Sequence, residues 1–151
     1  MSEFKRILVA VDFSLPSITA LENAIVLCQQ LDASLHIVYV ADMVDEKVSS
    51  AEINGSDTVE MKVFKEFRHN LEELVEKMSN GKTEALIEVE YGDAAEGIMQ
   101  VAVKVSADII VMGTHGRTGL EHLIVGSVAE TVMRKTSIPL MCVRVQNEAT
   151  D

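Results

Sequence analysis

Tryptophan is absent from this chain, and it carries only two prolines and two cysteines. Two thiols cannot build a disulfide scaffold. Cys28 and Cys142 also sit inside apolar patterns rather than in a spaced pair, which reads as two buried free thiols in a reducing compartment. The four histidines, His36, His69, His115 and His122, show no zinc-ligand spacing with cysteine or with one another. Basic residues are scarce too: 13 Lys and Arg stand against 24 Asp and Glu, for a formal charge of −11. A surface of that sign repels nucleic acid and anionic lipid, which argues against a nucleic-acid or membrane-surface role. A phosphate ligand would have to be held locally, by backbone amides, a helix terminus and a metal ion. No apolar run approaches the length that crosses a bilayer. Met1–Lys5 lacks the basic-then-apolar order of a signal peptide. A cytoplasmic location is the expectation.

What the chain does have is apolar pattern. Its 151 residues are 48% hydrophobic, enough for one globular domain over 1–151 with a substantial core. Ile7–Val11 is an uninterrupted apolar run ending at Asp12, as expected of a parallel strand covered on both faces. Ser14 stands as a helix cap with Pro16 in the first turn, and Ile18, Leu21, Ile25 and Cys28 recur at helical spacing down to Leu31. Ser34–Val40 reads as a second strand. A long helix follows, with Val63, Phe64, Phe67, Leu71, Leu74, Val75 and Met78 on one face and Asn80-Gly81 as its end. Glu84–Glu90 alternates apolar and charged residues, so this strand is expected at an edge with one face wet. Asp93 and Glu96 open a further helix in the manner of a capping box. Asp108–Met112 is a fourth strand, Ser127–Lys135 a fourth helix and Pro139–Val145 a final strand. Strand and helix alternate throughout, which gives an α/β fold with a mainly parallel sheet and helices on both faces. The segment Ala41–Asp57, acidic and rich in small residues, is longer than the usual connection.

The residues suited to chemistry fall at the strand ends. In open α/β sheets, ligands bind beyond the carboxyl ends of strands whose connections leave in opposite directions. After Met112 the chain reads Gly113-Thr114-His115-Gly116-Arg117-Thr118-Gly119, closing with Gly126-Ser127 at a helix start. Glycines bring backbone amides close to a ligand, and a helix N-terminus adds free amides and a positive dipole end. Each piece also has an ordinary reading: glycines serve turns, and Ser127 with Glu130 forms a capping box. Asp12 has two readings, a carboxylate that orients a nucleotide or holds a divalent ion through water, and a turn-and-cap residue between strand and helix. Arg117 pairs with phosphate or is a solvated loop charge. His115 has no identifiable partner that would make it a general base. Gly119 and His122 read as shaping the loop.

Gly113-x-x-Gly116, nine residues, then Gly126-Ser127 resembles the nucleotide-binding motif of the universal stress protein family, in its ATP-binding branch. The opening KRILVAVDFS, the HIVYV strand and the closing GTHGRTGLEHLIVGSVAETVMRKTSIPLMCVRV resemble that family's corresponding segments, so the likeness covers nearly the whole chain. It implies a five-stranded Rossmann-like domain with strand order 3-2-1-4-5, which periodicity alone does not give. It also implies a homodimer that binds ATP rather than catalysing a well-defined reaction, and the charge of −11 adds magnesium or manganese as the expected counter-charge. Carried over residue by residue, Gly113, Gly116, Gly126 and Ser127 would hold phosphates and ribose, with amides from Val128 and Ala129. Ala10, Val11 and Asp12 would border adenine and ribose, with Val40 and Met112 as apolar walls.

Three functions follow. One is an ATP-binding regulatory module in stress response, dimeric through the apolar strand 139–145, with an unidentified protein partner. Another is an interaction protein that keeps the fold without nucleotide. The third is an enzyme, and here the chain lacks the parts: no Lys follows the glycines as in GxxxxGK[ST]. Adenylating enzymes of the same broad fold carry Ser-Gly-Gly after strand one, where this chain reads Val11-Asp12-Phe13-Ser14. Slow ATP hydrolysis stays open, since amides and a metal stabilise phosphate charge without a placed base.

Overall fold

The computed structural model describes residues 3–41, 59–114 and 126–145. The first strand, β1 (Arg6–Ala10), leads into α1 (Leu15–Leu31), then β2 (Ser34–Ala41), α2 (Val59–Ser79), β3 (Ala85–Tyr91), α3 (Ala94–Lys104), β4 (Ile109–Gly113), α4 (Ser127–Lys135) and β5 (Leu140–Val143). The expected first, third and fourth strands are each displaced by one residue, and the final strand is shorter than 139–145. Of the long segment 41–57, only Ala41, the end of β2, is among the described residues.

The five strands form one sheet in the order β3-β2-β1-β4-β5, and all four pairings are parallel. Side chains alternate across a strand, so the two faces collect different residues. Ile7, Val9, Leu35, Ile37, Tyr39 and Val111 pack under α1 and α2. Leu8, Val38, Ile110 and Met112 pack under α3 and α4. Covering on both faces is why β1, β2 and β4 read as unbroken apolar runs. At the edge, β3 keeps Ile87 buried and leaves Leu86 exposed, the wet face that its alternation implied.

Local chemistry sets the helix ends. The Ser14 hydroxyl accepts the Ser17 amide, and Pro16 occupies the first turn of α1. The helix stops at Asp32, which turns left-handed with φ 53°. Asn80 and Gly81 are both left-handed, and the Gly81 amide returns to the Glu76 carbonyl at 2.9 Å, a C-terminal cap that glycine takes without strain. The Asp93 carboxylate accepts the Glu96 amide at 2.9 Å and starts α3. At the opposite end of the sheet, the Asp108 carboxylate accepts the amides of Lys5 and Arg6 at 2.8 and 2.9 Å, which fastens the entry of β1 to the entry of β4.

Gly113, the last residue of β4, lies against the first turn of α1. A Cβ there would stand 2.7 Å from the Pro16 Cβ and 2.8 Å from its carbonyl carbon. Gly113 thus has a structural duty beside any service to a phosphate, the close approach of β4 to the α1 backbone. Gly113→Val is therefore expected to destabilise the domain itself, by about 1–3 kcal/mol as overpacking does, or roughly 3–10 °C in Tm for a chain of this size. Thermal unfolding without ligand measures it. An unchanged Tm would show that the α1 turn yields freely.

Candidate functional site

The parallel pair β1 and β4 sits at the point where the connections diverge, α1 crossing one face and α4 the other. A crevice opens beyond the carboxyl ends of two such strands. On the β1 side, the Val11 amide still pairs with the Val38 carbonyl at 3.0 Å. The chain then turns at Asp12. Its Oδ1 accepts the Ser14 amide at 3.0 Å and also the Ser14 hydroxyl. Its own amide donates to the Ser17 hydroxyl at 3.2 Å, and that hydroxyl donates to the Ser14 carbonyl at 2.9 Å. The turn-and-cap reading of Asp12 is thus realised, and the carboxylate stands half-buried at the strand end. Phe13, between Asp12 and Ser14, has φ 65°, a region that bulky residues rarely enter.

On the β4 side, the buried Thr114 donates its amide to the Val143 carbonyl of β5 at 3.1 Å. Its carbonyl accepts the Gly126 amide, so Thr114 and the start of α4 are joined directly. The N-cap of α4 is Gly126, with no side-chain hydrogen bond. That corrects the assignment of Ser127 and Glu130 as a capping box. Ser127 is the first helical residue, its hydroxyl is not the cap, and the Glu130 amide bonds the Gly126 carbonyl at 2.9 Å. Ser14 and Asp93 satisfy first-turn amides of α1 and α3 with side-chain oxygens. Among the described residues no acceptor meets the amides of Ser127, Val128 and Ala129. The first turn of a helix carries donors and the positive end of the macrodipole, and among the described residues nothing meets them here.

The sequence-derived candidates divide clearly. Ala10, Val40, Met112, Val128 and Ala129 share the apolar cluster on the α3 and α4 face, whereas Val11 belongs to the cluster on the α1 and α2 face. Ala10, Val40, Gly113 and Gly126 are half-buried, Ser127 is exposed, and Val11, Met112 and Ala129 are buried. Met112 therefore turns its side chain into the core, while the half-buried Val40 keeps partial access. Gly116 and Arg117 lie outside the described residues, with His115, Gly119 and His122. Sequence reasoning missed Thr114, for which the only signal was a polar residue directly after a buried strand. It also missed Phe13, whose ring centroid lies 5.7 Å from that of Tyr39 and 5.9 Å from that of Phe67. An aromatic lodged between two capping residues was the available clue.

Neither cysteine offers reactive chemistry. Both are free, burial pushes the Cys28 thiol up to about 11, and burial raises Cys142 as well. Among the described residues, no group of three or more His, Cys, Asp or Glu side chains is arranged to hold a metal ion. None of the described helices is long and apolar enough to cross a membrane.

A parallel 3-2-1-4-5 sheet with helices on both faces, and a helix N-terminus at its reversal point, defines a Rossmann-like α/β protein of the kind that binds ligands at the strand ends. The family model for the universal stress protein family matches residues 3–144, and the chain belongs to that family. Universal stress protein MJ0531 of Methanocaldococcus jannaschii is 34% identical over 142 residues, which span 93% of this chain and 82% of the relative. Among solved structures, hypothetical protein MJ0577 superposes with a TM-score of 0.80 at 26% identity, over 97% of this chain and 100% of that one. The universal stress protein from Archaeoglobus fulgidus in complex with dAMP shares the fold, with a TM-score of 0.63 at 21% identity, over 94% of this chain and 99% of that one.

Because the Ser127 hydroxyl is exposed and does not cap α4, Ser127→Ala is expected to change unfolding free energy by less than about 0.5 kcal/mol, as ordinary surface substitutions do. Denaturant unfolding is the measurement. A loss of about 1 kcal/mol, the usual worth of a cap, would restore the capping role.

Proposed function

We propose that this protein is a nucleotide-binding regulatory member of its family that takes ATP in the crevice beyond β1 and β4, acting as a homodimer in stress response. The observation that carries the reading is the first turn of α4, open among the described residues at the fold's reversal point and close to Gly113 and Thr114. The complex of the Archaeoglobus relative with dAMP supports it. Since the Gly126 amide is committed to Thr114, phosphate oxygens would meet the amides of Ser127, Val128 and Ala129. Gly126 would contribute clearance instead, and Gly116 and Arg117 would complete the phosphate contacts. Ala10, Val11, Asp12 and Val40 would border the adenosine, with the backbone of Met112 at the crevice floor.

With a charge of −11 on the chain, ligand phosphates need a counter-charge. Magnesium or manganese would supply it by neutralising phosphate oxygens. Asp12 suits such an ion only through water, because one carboxylate oxygen already accepts two bonds from Ser14, and magnesium retains much of its water shell. Asp12 would orient that shell while Ser14 and Ser17 hold its carboxylate in place. A cytoplasmic, non-enzymatic role belongs to the same reading. Slow hydrolysis by amides and metal is the nearest enzymatic relative of it.

Thermal unfolding with ATP and magnesium tests the site. At a hundredfold excess of ligand over Kd, wild type should gain about 2.7 kcal/mol, roughly 5–10 °C in Tm, and EDTA should reduce the gain. Gly126 has φ −70° and ψ 163°, open to any residue, so Gly126→Val should fold and lose the ATP-dependent shift. A full shift in that variant would move the phosphate site elsewhere. No shift in wild type would favour the interaction protein without nucleotide.

The dimer has its own test. β5 lies at the sheet edge and its four residues are apolar and only half-buried, an uncovered edge of the kind that invites strand pairing. Met141→Lys in the 139–145 segment should shift the sedimentation behaviour of the wild-type dimer towards monomer at micromolar concentration. Monomeric wild type would remove the dimer from the proposal.

A further inference from the structure

The first half of α2 meets the sheet through aromatic rings. From Met61 to Asn70, the half-buried side chains among those described are Phe64 and Phe67, and the others are exposed. Phe64 packs on Tyr91 at the end of β3, with ring centroids 5.3 Å apart. Phe67 packs on Tyr39 of β2 at 4.3 Å and on Phe13 at 5.9 Å. Phe13 is thus tied to α2 by its ring and to the candidate site by its backbone.

That backbone is strained. At φ 65° a phenylalanine persists only where its surroundings over-determine it, and such residues cluster at functional sites. On the polar side, the hydrogen bonds among Asp12, Ser14 and Ser17 fix the turn. On the apolar side, Phe13 is 38% exposed, so few contacts locate its ring, and Tyr39 and Phe67 are two of them. Tyr39 is buried and fixed in β2, with Val89 as its partner on β3. Phe67 sits on a helix whose first half, among the described side chains, packs only Phe64 beside it against the sheet. Of the two rings, Phe67 is the one whose position is free to respond.

We propose that Phe67 is a positioning residue for the nucleotide site. It acts through the Phe13 ring to hold the turn that presents Asp12, so docking of the first half of α2 and occupancy of the crevice favour each other. This inference rests on the nucleotide-binding reading above and adds an output to it, because a partner that senses α2 would sense the nucleotide. Coupling of this kind is reciprocal: whatever loosens Phe67 weakens the nucleotide, and the nucleotide tightens α2.

The test compares wild type, Phe67→Leu and Phe64→Leu by calorimetry with ATP and magnesium, together with hydrogen exchange of residues 60–70 with and without that ligand. Phe64→Leu removes the ring contact with Tyr91 in the same half of the helix and leaves the contact of Phe67 with Phe13 in place. Phe67→Leu should raise Kd about fivefold or more, the low end of measured site-to-site couplings, while Phe64→Leu should leave Kd within about twofold of wild type. In wild type the nucleotide should slow exchange across 60–70, and in Phe67→Leu it should not. Equal weakening in both variants, an unchanged Kd in Phe67→Leu, or no slowing of exchange in wild type each overturns the proposal. If Phe67→Leu does not fold, the exchange result on wild type decides alone. Wild type that fails to bind ATP brings down the parent reading as well, and that failure is visible before any variant is made.

Discussion

β1 and β4 are paired through Ile7 with Ile109, Leu8 with Ile110 and Val9 with Val111, and whatever bears on a ligand follows from where this pair ends. Both strands are buried on both faces, so neither shifts register without moving an apolar side chain from one core cluster to the other. Asp108 locks their entry ends, and Gly113 against Pro16 locks the exit. Asp12 and the start of α4 are therefore set at fixed places by the two strands that feed them. The polar groups of the crevice stand on a rigid base although they belong to loops and caps.

Much of this base was legible in the amino-acid order. Two-sided burial writes itself as unbroken apolar runs, which is why β1, β2 and β4 stood out. The exposed Leu86 and the half-buried Glu88 and Glu90 of β3 explain its alternation. Helix ends were legible where the cap is local, as at Ser14, Asp93 and Gly81. Strand order was not, because pairing β1 with β4 joins segments about a hundred residues apart, and no window of sequence carries that information. Resemblance to the universal stress protein family supplied the order, and the sheet has it.

What the sequence did not show has separate causes. Gly113 sits in a loop pattern that suggests phosphate, but the atoms that exclude a side chain there belong to Pro16, distant in sequence. Ser127 and Glu130 have capping-box spacing, yet the helix begins one residue earlier than that spacing requires, with Gly126 as the cap. A one-residue displacement turns a structural hydroxyl into an exposed one and leaves first-turn amides without a side-chain partner. Phe13 was unreadable for a third reason: left-handed backbone at an aromatic residue is imposed by tertiary contacts, and local preference opposes it.

The hydrogen bond from Gly126 to Thr114 separates heritable scaffold from replaceable part. It joins Thr114, directly after β4, to the cap of α4, so the strand-helix junction is held by residues outside the 115–125 segment. Doubling the length of a segment held at both ends costs only about 0.6 kcal/mol of chain entropy. Descendants of this protein can therefore exchange residues 115–125 as a cassette while β4 and α4 keep their places. Drift in what the crevice accepts would then leave little trace in the core, and two relatives with superimposable sheets can part company in ligand within a dozen residues.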